Sequence, residues 1–184
     1  MIEAAAARRV RILGLDVDGV LTDNGIFVGP VAGETVELKR FDIQDGLGLM
    51  LLRLAELPVV WVSGRPSEAT TLRARELRVE ALLQVPGPKK LEAFEEVLET
   101  RGIAWEEVAF VADDLADLKI MRRVGLPIAV ANAVEEVKAV AQYVTRAGGG
   151  HGAVREVVEA LLRARGEWAG ILERYFTEPV ARVT

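Results

Sequence analysis

The run Val10-Arg11-Ile12-Leu13-Gly14-Leu15 ends in Asp16-Val17-Asp18-Gly19, and this junction constrains the fold more than any other stretch. It predicts a short apolar strand over about 10–16 that delivers two carboxylates, two residues apart, at its C-terminal end. The side chains between and beside them are small or apolar and cannot neutralise them. A divalent cation is the simplest thing that holds such a pair together. At the carboxyl edge of a parallel sheet they would stand where that architecture binds its ligands. Taken alone, the same residues also fit an ordinary Asp-Gly turn.

Further apolar runs repeat the theme. Val59-Val60-Trp61-Val62 is continuous enough for a strand buried on both faces, and it leads into Ser63-Gly64-Arg65. Leu82-Leu83 is briefer. Val108-Ala109-Phe110-Val111 ends in Ala112-Asp113-Asp114, with Asp117 one turn further on, and Ile128-Ala129-Val130 and Tyr143-Val144-Thr145 follow. Helical patterns separate these runs over about 46–57, 66–77, 91–100, 115–123, 134–140 and 154–162. The alternation predicts a doubly wound α/β fold with a mostly parallel sheet and right-handed crossovers. Residues 25–41 break it. Gly25 to Pro30 is β-prone and closed by turn residues, and Thr35 to Phe41 alternates with period two, so the pair predicts a protruding β-hairpin too short for a crossover. A length of 184 residues fits one domain over 1–184. After Gly166 a tail over 166–184 carries an amphipathic stripe of Trp168, Ile171, Leu172, Tyr175 and Phe176, then Glu178-Pro179 and an extended end.

Composition removes several function classes. The chain has no Cys, so disulfides, thiolate metal sites and a Cys nucleophile are excluded. Its 23 basic and 28 acidic residues are interspersed with a net charge of -5, and no basic stripe points to nucleic acid. No run approaches a membrane span, and no long apolar segment follows Arg8, Arg9 and Arg11 before Asp16, so a cytoplasmic protein is the expectation.

If the sheet is parallel, Asp16 and Asp18, Ser63 to Arg65, and Asp113, Asp114 and Asp117 converge on one edge, with Lys89 and Lys90 nearby. Each piece has an ordinary reading: Ser63, Asp113 and Asp114 are good helix caps, and a lone lysine is usually solvated. In this order, however, with Asp16-Val-Asp-Gly-Val-Leu-Thr-Asp23, the set resembles the haloacid dehalogenase-like phosphohydrolases. The resemblance implies Asp16 as the nucleophile that forms an aspartyl-phosphate and Asp18 as the general acid/base. It implies Ser63 as a hydrogen-bond partner of the transferring phosphoryl group and Lys90, better matched than Lys89, as the neutralising cation. Mg²⁺ would be held by Asp16, Asp18 (most simply through its carbonyl) and Asp113, with Asp114 and Asp117 orienting that shell or capping the following helix.

Longer stretches are similar to the 3-deoxy-D-manno-octulosonate 8-phosphate phosphatases: Leu38-Lys-Arg-Phe41 with Asp45-Gly-Leu-Gly48, Ser63-Gly-Arg65 with Arg73, Asp113-Asp-Leu-Ala-Asp117, and Tyr143-Val-Thr-Arg with Gly149-Gly-His-Gly-Ala-Val-Arg-Glu156. The likeness spans about residues 10–162. It implies a core without a large cap domain, a small phosphorylated sugar acid as substrate, and a homotetramer in which hairpin and tail help enclose a neighbour's site. Phosphatase action on a related nine-carbon acid phosphate or on broader sugar phosphates stays open, as does an accessory-subunit role. Two stretches depart from the pattern: Ala112 replaces a usual Gly, and Pro86-Gly87-Pro88 precedes the lysine.

Of the remaining polar residues, Arg65, Arg73 and Arg155 are candidates to clamp a substrate carboxylate or phosphate, with Gly64 beside them. Gly149 and Gly150 would cradle a phosphate with backbone N–H groups or simply form a mobile turn. His151, the only histidine, cannot build a zinc site alone. Trp61 is expected in the core, and Trp105 packs before the fourth strand.

Overall fold

The structure, a computed structural model, describes residues 1–177. The end of the tail, including Glu178-Pro179 and the extended terminus, lies outside the described residues. A short helix α1 (Ala4–Arg9) leads into β1 (Ile12–Leu15). The hairpin strands β2 (Phe27–Val31) and β3 (Glu34–Leu38) follow, and then α2 (Ile43–Leu54), β4 (Val59–Ser63), α3 (Glu68–Glu76) and β5 (Ala81–Gln84). The second half runs α4 (Lys90–Arg101), β6 (Val108–Ala112), α5 (Leu118–Met121), β7 (Leu126–Ala129), α6 (Glu135–Lys138), β8 (Tyr143–Val144), α7 (Ala153–Arg165) and α8 (Trp168–Thr177).

Six strands form one sheet in the order β5-β4-β1-β6-β7-β8, and every pairing is parallel. The chain leaves central β1, builds outward through β4 and β5, then returns to the other side of β1 with β6. The order reverses at β1, so its C-terminal end opens on the crevice where such sheets bind ligands. β1, β4, β6 and β7 are buried at every position, because α1, α2, α7 and α8 pack together on one side and α4 and α5 associate on the other. Gly48 lets α7 come close to α2: a Cβ there would lie 3.2 Å from the Arg155 Cα. Trp61 is fully buried and stacks on Phe41 with ring centres 6.3 Å apart, while Trp105 meets Phe94 edge-on at 5.9 Å. Among the described residues no helix is long and apolar enough to cross a membrane.

The hairpin is a separate two-stranded antiparallel sheet, as expected, but its turn is not at Gly29-Pro30. Ala32 and Gly33 make it, with φ of 52° and 88°. A two-residue hairpin turn of this hand needs positive φ at both positions, and an alanine gives no sequence signal for that. Pro30 sits within β2 opposite Thr35, tolerated because a two-stranded ribbon has only edges. Helix α2 starts three residues before the apolar run because the Asp42 side chain caps it, accepting the Gln44 N–H at 2.7 Å. The helix expected over 115–123 divides into a 3₁₀ turn at Leu115–Asp117 and α5, and that over 134–140 shrinks to α6. Pro127 lies inside β7 rather than before it.

Candidate active site

β1 carries the chain straight into the site. The Asp16 N–H donates to Val111 O at 3.0 Å, continuing the ladder, and then the backbone turns sharply, with the N–H groups of Val20, Leu21 and Thr22 all donating to Val17 O. Gly19 makes this turn possible. Its φ is +93°, and a Cβ there would lie 1.9 Å from Asp113 Oδ2. Asp113 arrives from the end of β6 and Lys90 from the first position of α4.

These elements bring charges together inside the protein. Lys90 Nζ donates to Asp16 Oδ1 at 2.5 Å and to Asp117 Oδ1 at 3.0 Å, and all three side chains are almost wholly buried. Asp16, Asp113 and Asp117 can each offer one oxygen within 4.8 Å of the others. Three acids face one lysine, so the acids repel. Burial, then the Asp16 charge, pushes the Asp113 carboxyl up to about 8, and the same two causes push Asp117 up to about 7. Burial also raises Asp16, against the downward pull of Lys90. Burial opposes the charge on Lys90, but Asp16 and Asp117 outweigh it and raise its pKa. Asp113 Oδ1 is buried without a hydrogen-bond partner, while Oδ2 accepts the Asn24 Nδ2–H at 3.2 Å. A buried, unpaired carboxylate oxygen inside a surplus of acid is what a hard divalent cation would satisfy, so the residues present fit Mg²⁺. The adjoining cleft of about 290 Å³ is lined by Asp16, Asp18, Lys90 and Asp113 together with Gly64, Arg65 and Gly87.

The other expected residues divide. The Asp18 carboxylate turns away from the acid cluster towards Lys39, 2.6 Å from its Nζ. Asp117, expected to orient the shell or cap a helix, belongs to the cluster itself, while Asp114 is exposed and caps the 3₁₀ turn, the second of its expected roles, by accepting the Leu115 N–H at 2.7 Å. Ser63 is fully buried, with its hydroxyl donating to Arg65 O at 2.9 Å. Gly64 lines the cleft, where a Cβ would come 3.4 Å from Lys90 Cε. Arg65 reaches the cleft but pairs through both terminal nitrogens with Glu37 of the hairpin, whose carboxyl it holds down at about 2. Arg73 pairs with Glu76 at 2.7 Å and lines a different groove between α2 and α3. Arg155 is not at the cleft in this chain, since its Nε donates to Glu159 at 2.7 Å and its guanidinium lies 5.9 Å from the Trp168 ring centre.

The glycine loop has another task. Gly149 N–H donates to Asn132 Oδ1 at 2.6 Å, and Gly150 N–H donates to Val20 O at 3.1 Å. Both amides expected to cradle a phosphate are therefore taken up within the fold. A Cβ on Gly149 would lie 1.8 Å from Gly19 O, so the loop is a strap pressed against the turn that follows Asp16. Asn132 Nδ2 ties the two together, donating to Gly19 O at 3.0 Å. The exposed His151 bonds back into this loop, its N–H to Gly148 O and its ring Nδ1 with Gly149 O.

Sequence reasoning missed Lys39, Glu37, Asn24 and Asn132. The Lys39 side chain is 0% exposed, and besides Asp18 it meets Thr70 Oγ1 at 3.1 Å. Glu37 and Lys39 share one face of the alternating segment, the signal that could have shown a polar face turned inward. Phe27 and Leu38, directly opposite each other on the strands, are 66% and 60% exposed.

Residues 56–156 match the model of a haloacid dehalogenase-like hydrolase family, more than half of the chain. The chain belongs to the haloacid dehalogenase-like hydrolases. Within these hydrolases it is 44% identical over 163 residues to the 3-deoxy-D-manno-octulosonate 8-phosphate phosphatase of Escherichia coli K12, covering 89% of this chain and 85% of that one. A crystal structure of the Moraxella catarrhalis phosphatase of the same name, in complex with magnesium ion, phosphate ion and a KDO molecule, superimposes with a TM-score of 0.87 at 35% identity. The match covers 94% of this chain and 97% of that one. The cobalt-bound Haemophilus influenzae phosphatase gives 0.78 at 31%, covering 88% and 92%. The hydrolase core thus has structural relatives that hold divalent cations.

Proposed function

We propose that this chain is a Mg²⁺-dependent phosphomonoesterase that hydrolyses 3-deoxy-D-manno-octulosonate 8-phosphate. The observation that carries the reading is the buried Asp16–Lys90–Asp117 ion network beside Asp113 at the carboxyl edge of the sheet. The substrate is supported by the named phosphatases that the chain resembles over nearly its whole length. Asp16 attacks phosphorus through a carboxylate oxygen while the bond to the sugar oxygen breaks, and Asp18 gives that leaving oxygen its proton. Asp18 then takes a proton from water, which attacks the aspartyl-phosphate, releasing phosphate and restoring Asp16. Asp16, Asp113 and the Asp18 carbonyl would hold Mg²⁺, which supplies positive charge for the transferring phosphoryl oxygens. Lys90 keeps Asp16 ionised and placed, and Lys39 keeps the Asp18 carboxylate turned to the hairpin side of the cleft. Ser63, Gly64 and Arg65 meet the phosphoryl group and the sugar acid, Ser63 by rotating its hydroxyl out of the turn.

The same proposal includes a homotetramer in which hairpins and C-terminal segments cover neighbouring clefts. Exposed Phe27, Val28, Val31 and Leu38 on the hairpin support it. In that assembly Arg73 and Arg155 act from another subunit or only structurally.

Phosphate release from a panel of eight-carbon, nine-carbon and simple sugar phosphates, with Mg²⁺ and with chelator, tests the activity, with Asp16→Asn as control. Metal-dependent turnover confined to the eight-carbon acid phosphate is expected. Even activity across the panel refutes the substrate, and no activity refutes the reading altogether. Sedimentation velocity tests the assembly, and a fully active monomer would overturn it.

A further inference from the structure

We infer that Asn24 is a positioning residue that fixes which oxygen Asp113 presents to the cation. This rests on the metal reading above, but concerns a side chain to which that reading gives no role.

Asn24 lies outside the acid cluster, five residues beyond Gly19, with a φ of +67°. That left-handed conformation is one an asparagine tolerates, and it aims the side chain back across the cleft. Thr22 Oγ1 anchors the turn by accepting the N–H groups of Gly19 and Asn24 at 3.3 and 3.4 Å. From there Asn24 Nδ2 donates to Asp113 Oδ2 at 3.2 Å. The two Asp113 oxygens are consequently unlike: Oδ2 has a donor, whereas Oδ1 is buried with none. Gly19 keeps that orientation open, since a Cβ there would press on Asp113 Oδ2 at 1.9 Å and on Asn24 Nδ2 at 2.8 Å. The amide hydrogen bond favours this pose, which leaves Oδ1, on the side where Asp113 meets Asp16, as the oxygen free to take a cation.

A donor to the non-ligating oxygen of a metal carboxylate typically matters by about 10- to 100-fold in metal affinity. The test is Asn24→Gly, because glycine adopts the same positive φ without strain and removes only the amide. Calorimetric titration of the metal-free protein with MgCl₂ reads affinity directly. A second series measures phosphate release against Mg²⁺ concentration, separating the half-saturating Mg²⁺ from the maximal rate. The expected result is at least a 10-fold weaker Mg²⁺ affinity, a maximal rate within about twofold of wild type at saturating Mg²⁺, and an unchanged melting temperature without metal. An unchanged Mg²⁺ affinity overturns the inference while leaving the metal reading intact. A fall in maximal rate alone also overturns it, because Asn24 would then act on substrate. If wild type itself takes up no Mg²⁺, the metal reading falls and the inference with it. Asn24→Ser, too short to span 3.2 Å in place of the amide, must reproduce the glycine result. A serine variant with wild-type affinity overturns the inference too.

Discussion

Asp45 gives the sharpest test of the physical reasoning, because it is a buried acid with no part in the proposed chemistry. It sits in the first turn of α2, 2% exposed, and reaches across to the N-terminus of α7, where Oδ1 accepts the Arg155 N–H at 2.7 Å. Oδ2 is buried without a partner. Burial pushes the carboxyl from 3.8 up to about 6, although backbone N–H groups of Arg155, Gly152 and Val154 pull the other way. A raised acid pKa means that the folded state holds the proton more tightly than the unfolded chain. The corresponding stability is fully present below about pH 4 and is lost as pH rises through 6. Roughly two pKa units at 1.36 kcal/mol each make this about 3 kcal/mol. For a chain of this size, that equals a melting-temperature difference of about 6–12 °C. Asp45→Asn keeps an oxygen for the Arg155 N–H but cannot ionise. Thermal unfolding of both proteins from pH 4 to 7.5 should show the variant gaining on wild type by about that amount, mostly between pH 4 and 6. A difference between the two curves that stays flat with pH would refute the argument.

Other substitutions probe the site in turn. Lys90→Met leaves Asp16 and Asp117 buried without their cation, so urea unfolding of metal-free protein at pH 7.5 should show a loss of about 3–5 kcal/mol. A loss under about 1 kcal/mol would contradict the burial argument. Gly149→Ala places a methyl 1.8 Å from Gly19 O and 2.9 Å from Thr22 O, both backbone atoms that cannot swing aside. Overpacking of about 1–3 kcal/mol is expected, along with reduced phosphate release as the catalytic turn shifts. An alanine variant of wild-type activity would show that the strap does not position the turn. Lys39→Met removes the partner held 2.6 Å from Asp18, and phosphate release should fall by about 100-fold, within the range for general acid/base contributions. An unchanged maximal rate would mean that Asp18 is placed by its own loop.

The parallel core was legible because β1, β4 and β6 are apolar without interruption and each runs directly into polar residues. That pattern follows from burial on both faces and needs no distant information. The acid cluster was legible for the same reason, with Asp16 and Asp113 both at strand ends. The arginines were not. A guanidinium on a long stem goes to whichever carboxylate is near, and for Arg65 that is Glu37, 28 residues away on a hairpin whose alternation marks a polar face but not the residue it meets. Glu76 and Glu159 were readable in principle, three and four residues from Arg73 and Arg155 on the same helices. The glycine loop misled for a related cause. Small residues permit close approach by a phosphate or by backbone alike, and only the fold shows that Gly149 and Gly150 lie under the turn from Gly19 to Thr22.

The site is built to keep its carboxylates ready while they lack charge balance. A lysine fixed to α4 neutralises part of the acid and holds Asp16 and Asp117, yet Asp113 remains an acid pushed up to about 8. A cation that binds Asp113 Oδ1 would restore its ordinary acidity and compensate the surplus without displacing Lys90. The hairpin is tied into the same electrostatics: Lys39 pairs with Asp18, and Glu37 with Arg65, both from residues that line the cleft. Thr22 also bridges to Phe41, pinning the base of the hairpin to the catalytic turn. Any ligand that draws Arg65 towards an anion must therefore weaken the Glu37 pair. If Arg65 binds the substrate anion as proposed, that anion competes with Glu37 of the hairpin for one guanidinium.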